Sequence, residues 1–101
     1  MIITAEVHNW RLNENSYGCY VTGCIFNDKK KRWPDGRTFY TSQMTGYEIQ
    51  RDGVLFMTLN SLYFLPWKET ECDSTAISEK LPLLLQKAQE NIPEEWRNSH
   101  N

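Results

Sequence analysis

TFYTSQMTGYEIQ, residues 38–50, opens with β-branched and aromatic residues and is bounded by turn signals on both sides. Pro34-Asp35-Gly36 stands before it and Arg51-Asp52-Gly53 after it. Such composition between such punctuation marks a strand. Side chains alternate along a strand, so Phe39 and Tyr40 point to opposite faces. Read as one strand from 38 to 50, the stretch becomes the third of five. Arg51-Asp52-Gly53 is the clearest hairpin signal in the chain, because Asp-Gly accepts the positive φ angles of a tight turn. Asp35-Gly36 is read the same way.

Strand one is expected over 2–12, ending at the polar turn Asn13-Glu14-Asn15-Ser16. Strand two follows over 17–26. Tyr17, Cys19, Val21 and Ile25 share one of its faces, Tyr20 and Phe26 the other, and Gly18 and Gly23 offer places for a bend or bulge. Strand four is expected over 54–59. The Asn60-Ser61 turn leads to strand five, 62–67, with Pro66 near its end or on an edge.

Beyond it the pattern changes. Ile77, Leu81, Leu84, Leu85, Ala88 and Ile92 fall within an arc of roughly 100° on a helix, one core-facing stripe. Asp73, Ser74 or Ser78 caps its start. Pro82 is harmless in a helix begun at Ser78 and kinks one begun at Ser74. Pro93 ends it, Glu94-Glu95-Trp96 pins a last turn, and 97–101 frays. Five antiparallel strands with short turns leave two edges unless the sheet curls. The expected fold is therefore α+β: a five-stranded antiparallel curled sheet or small open barrel of SH3 or OB type, with a C-terminal helix over an open side. It forms a single domain, 1–101, with a β body at 1–67 and the helix at 74–93.

The 101 residues carry a net charge of −2, which favours neither nucleic acid nor an anionic membrane overall. The charge is uneven, +2 over residues 1–68 and −4 over 69–101. The N-terminus has no basic start or sustained apolar run, and no stretch is long enough to span a membrane. Cys19 and Cys24 lie on opposite faces of one strand, and with Cys72 they make three, as expected of reduced thiols in a cytoplasmic protein. Cys19-x4-Cys24 looks like a zinc half-site, with Cys72 and His8 as remote ligands, but its intervening residues read as extended and no metal or other cofactor is expected. His8 stands mid-strand with no nucleophile beside it in sequence, and no catalytic motif is present, so the chain reads as a non-enzyme.

Lys29, Lys30, Lys31, Arg32 and Arg37 place five cations within nine residues, with Trp33 among them. Such a turn has three readings: a solvated hairpin end, a contact for a protein partner, or a grip on nucleic acid with Trp33 stacking on a base. A single cluster neutralises few phosphates, which ranks nucleic acid last. Twelve of the thirteen aromatics lie before residue 68, more than one face of a small sheet buries. Either the helix covers the second face or an aromatic patch is exposed for binding.

Asp35-Gly36, then Thr41-Ser42, then Thr58-x-Asn60-Ser61-x-Tyr63-x-Leu65 resembles a pattern in small proteins of phages, prophages and mobile gene cassettes. The resemblance covers residues 18–67 and implies a cytoplasmic accessory of a mobile element. Taken with the absence of catalytic motifs, it leads to a binding protein that masks a host protein surface, such as a defence-system component. A small-barrel nucleic-acid binder and an immunity protein or antitoxin are the rival readings. Oligomeric state is left open by the sequence.

Overall fold

The computed structural model describes residues 2–91. It is α+β, with six strands in one sheet followed by a helix. The strands are β1 (Ala5–Asn15), β2 (Gly18–Phe26), β3 (Thr38–Tyr40), β4 (Gly46–Ile49), β5 (Gly53–Met57) and β6 (Leu62–Pro66). A single 3-10 turn, Trp67–Glu69, leads towards helix α1 (Ser74–Glu90). The strand order is β3-β2-β1-β6-β5-β4.

The stretch at 38–50 accounts for the difference from five antiparallel strands. Its first part pairs with β2, Phe39 facing Gly23, and the N–H groups of Thr41 and Met44 donate to the carbonyls of Val21 and Cys19. At Thr45 the chain changes partner and donates to Met57 on β5. One segment thus supplies both outermost strands, β3 and β4, through the link 41–45. Five residues reach at most about 20 Å, less than the width of six flat strands at about 4.8 Å each. The sheet must curl. It is not closed, because β3 and β4 are not paired with each other.

The curl also explains the parallel pair. Along a meander each strand reverses the last, so a first and fifth strand run the same way. Curling brings β1 beside β6, and they pair parallel at Ala5 with Tyr63 and Glu6 with Phe64. The sheet is mixed for that reason.

β1 starts and ends three residues later than expected. Asn13, Glu14 and Asn15 are strand residues paired with Tyr20, Cys19 and Gly18, and the turn is only Ser16-Tyr17. Tyr17 therefore lies outside β2 and is exposed. Between His8 and Arg11 the register slips, and two residues, Asn9 and Trp10, oppose Gly23. Asn9 takes φ 51°, the left-handed conformation that starts such a bulge. A Cβ on Gly23 would stand 2.7 Å from the carbonyl oxygen of His8 and from Val7 Cγ1, so only glycine fits opposite the bulge. The slip turns Trp10 inward, where it is 1% exposed and its Nε1 donates to the Pro66 carbonyl at 2.7 Å.

The core lies on the concave side. Val7, Trp10, Cys19, Val21, Ile25, Val54, Phe56 and Leu65 meet Ile77, Leu81 and Leu84 of α1 there. Asp73 caps the helix, accepting from the Ala76 N–H. The start at Ser74 puts Pro82 inside α1, where it withholds the hydrogen bond to Ser78. Ile92, Pro93, the Glu94-Glu95-Trp96 turn and the tail 97–101 lie outside the described residues.

Candidate functional site

The cationic turn is organised by one acid that sequence reading passed over. Asp28 has a side chain only 1% exposed. It accepts from the backbone N–H groups of Lys30 (3.2 Å) and Arg32 (2.9 Å). The Arg32 guanidinium adds Nε at 3.1 Å and Nη2 at 3.2 Å, a two-pronged pair. Burial alone pushes the Asp28 carboxyl up. The Arg32 side chain, the two amides and the Arg32 charge together outweigh it and hold the carboxyl below its ordinary range. Arg32 also reaches the Tyr63 hydroxyl at 3.4 Å and lies over the Trp33 ring at 4.7 Å. Trp33 in turn packs on Phe39 at 5.7 Å between centroids, and Phe39 on Tyr63 at the same distance.

The six residues singled out in sequence therefore divide. Lys30 Nζ donates to the Asn60 carbonyl (2.7 Å) and Ser61 Oγ (3.0 Å), tying the turn to the 60–61 corner. Arg32 and Trp33 belong to the Asp28 knot. Lys29, Lys31 and Arg37 are exposed, and their side chains have no hydrogen-bond or ion-pair partner among the described residues.

A second surface emerges on the convex face. Because α1 packs on the concave side, the outward residues of the central strands have no layer above them. Phe26, Glu6, Phe64 and Leu55 lie side by side across β2, β1, β6 and β5. Phe26, Phe64, Leu55 and Met57 are half-buried. Two adjoining hollows share Glu6 and Phe64. One, of about 320 Å³, is edged by Ile3, Asn27 and Lys29. The other, of about 440 Å³, is edged by Arg51, Asp52, Trp67 and Lys68. Together they form a groove with Phe64 on its floor and cations at both ends.

The groove's polar residues are held in place. Glu6 accepts from Asn27 Nδ2 at 3.1 Å. His8 stacks on Phe26 with centroids 4.3 Å apart. Its Nε2 lies 3.3 Å from Glu6 and its Nδ1 3.7 Å from Glu69. Of these residues sequence reading had singled out only Lys29 as a contact. Strand alternation carried the signal for the rest, since Phe64 stands between the inward Tyr63 and Leu65.

The cysteines are all free. Cys19 lies in the core with Sγ 3.7 Å from Met44 Sδ, and burial, helped by the charge of Glu14, pushes its thiol up to about 12. It stays protonated at neutral pH and is a packing residue. Cys24 faces outward from the same strand. Among the described residues no cluster of three or more His, Cys, Asp or Glu side chains could hold a metal, and no helix is long and apolar enough to cross a membrane. No family model, no curated protein and no solved structure matches the chain.

Proposed function

We propose that this chain is a small non-enzymatic binding protein of a phage or mobile element, acting in the cytoplasm by masking a host protein surface with its convex sheet face. The carrying observation is that a strip of half-buried Phe26, Phe64, Leu55 and Met57 is left without cover once α1 packs on the other side. An apolar centre with a charged rim is the anatomy of a protein interface. The rim is mixed in sign, with Lys29, Arg51 and Lys68 alongside Asp52, and Glu6 stands within the strip between Phe26 and Phe64. Mixed signs suit a folded partner better than a phosphate backbone, which the carboxylates would repel. The nucleic-acid reading also loses support because Trp33 is engaged with Arg32 and Phe39. A defence-system component or a cognate toxin are partners of the same kind.

A photo-reactive amino acid placed at Lys29 or Lys68, on the groove rim, tests this in living bacteria. The expected result is one recurrent host-protein adduct from both rim positions and none from Leu83, which is exposed on α1. Adducts from Leu83 alone, or with nucleic acid alone, would overturn the reading.

A further inference from the structure

The two sheet edges are guarded very differently. β4 carries Glu48, is backed by α1 and runs into Gln50-Arg51-Asp52. β3 carries no charge or proline of its own, and its one guard is its length of 3 residues. Its ladder to β2 uses the backbone of Arg37, Phe39 and Thr41, through Ile25 N–H to the Arg37 carbonyl and Thr41 N–H to the Val21 carbonyl. Bonding residues alternate along an antiparallel strand, so the N–H and C=O groups of Thr38 and Tyr40 point away from the sheet. Neither N–H has a hydrogen-bond partner among the described residues. The segment Thr38-Phe39-Tyr40-Thr41-Ser42 holds no charge and no proline. These are the usual devices that keep an edge from pairing, and the residue types present favour a strand.

We infer that β3 is a self-association edge, at which a second copy of this chain adds antiparallel and makes the two sheets continuous. This rests on the edge alone and stands apart from the convex groove. Pairing about Phe39 sets Thr38 opposite Tyr40 of the second copy, and the reverse, closing about four backbone hydrogen bonds. Each outward pair is then a β-branched residue against an aromatic one, a favoured cross-strand combination. Tyr40, 74% exposed in the single chain, gains cover. It borders an open hollow of about 500 Å³ formed with Tyr20, Thr22, Thr41, Ser42 and Gln43.

Self-complementarity favours a second copy, since one register sets Thr38 against Tyr40 twice, and charge does not oppose it. The nearest cation in sequence is Arg37, just before the strand, which this register places opposite Thr41 of the copy. The two Arg37 residues then lie about 13 Å apart along the ladder, beyond the screening length of roughly 8 Å at physiological salt. Nothing in the pairing repels. The edge is short, so the dimer is weak, with dissociation in the micromolar range or above.

Sedimentation velocity of the full chain from about ten micromolar to about one millimolar tests this, across the range where weak association shows. Wild type is expected to move from monomer towards dimer. Tyr40→Pro removes an N–H that the β2 ladder does not use, and Tyr40→Lys keeps the N–H but puts charges at the join. Both are expected to stay monomeric with unchanged circular dichroism. Ile49→Lys, on the β4 edge, is expected to dimerise like wild type. A wild type monomeric throughout, a dimer that survives both Tyr40 changes, or one lost in Ile49→Lys would overturn the inference.

Discussion

At Asp28 one carboxylate accepts four N–H groups, two from backbone and two from Arg32. The turn that reads as a run of free cations is in part a folded knot around that acid. Sequence reading missed it because a lone Asp beside four basic residues looks like charge balance, and burial is not written locally. Asp28→Asn should cost about 2–3 kcal/mol, the scale of lost charged hydrogen bonds. The sign with pH follows from the lowered carboxyl. Its contribution is fully present above the unfolded value of about 3.9 and disappears as pH falls through the lower folded value. Melting curves from pH 7 to 2 should therefore show wild type and Asp28→Asn converging below about pH 4; a constant gap would refute the ionic account. Lys31→Ser and Arg37→Ser should change stability by less than about 0.5 kcal/mol.

Glycines show the same division between local and distant causes. Gly36 takes φ 89°, as its Asp-Gly turn implies. Gly53 was expected to do likewise and does not: it is the first residue of β5, with no positive φ. It is needed because a Cβ there would run into the Leu65 carbonyl oxygen and stand 2.9 Å from the Phe64 ring. Gly53→Val should destabilise by about 1–3 kcal/mol through overpacking. Gly53→Ala should cost nearly as much, because its Cβ alone meets the Leu65 carbonyl oxygen, whereas without that contact Gly53→Ala would be neutral or slightly stabilising at this φ. Thermal denaturation of the pair separates the two causes.

Among the elements, α1 was the most legible. Its stripe is local, and Ile77, Leu81 and Leu84 are buried as the spacing requires, with Leu85 half-buried at the margin. Leu84→Ala should cost about 2–5 kcal/mol and Leu85→Ala less, measured by urea denaturation; equal, small losses would mean that the helix does not hold the core. Gly18 marks how closely the helix sits. A Cβ there would lie 3.0 Å from Ala88 Cβ and from the Leu84 carbonyl oxygen. Pro82 is exposed and interior to the helix, so Pro82→Ala should stabilise by about 1 kcal/mol or more. The stretch 38–50 was the least legible element. Its strand propensity was plain, but the change of partner between Met44 and Thr45 depends on β2 and β5 arriving on either side.

For the whole molecule, α+β architecture and a single curled sheet followed from strand spacing and the need to hide edges. The sixth strand and the parallel β1–β6 pair did not: the extra strand comes from the change of partner within 38–50, and the parallel pair forms only when the meander wraps far enough for its first and last strands to meet. The groove was invisible for the same reason: Glu6 and Phe64 are neighbours only through that parallel pair. Wrapping also leaves the helix one side to cover, and the convex face becomes the surface proposed to mask a partner. The direct test is a titration of the purified host protein identified by cross-linking against wild type, Phe64→Glu and Leu83→Glu. A charge on the groove floor should weaken binding by about 30-fold or more, the scale of a central interface residue, while Leu83→Glu binds like wild type and both variants keep the native fold by circular dichroism. Full binding by Phe64→Glu, with loss in Leu83→Glu, would contradict the assignment of the convex face.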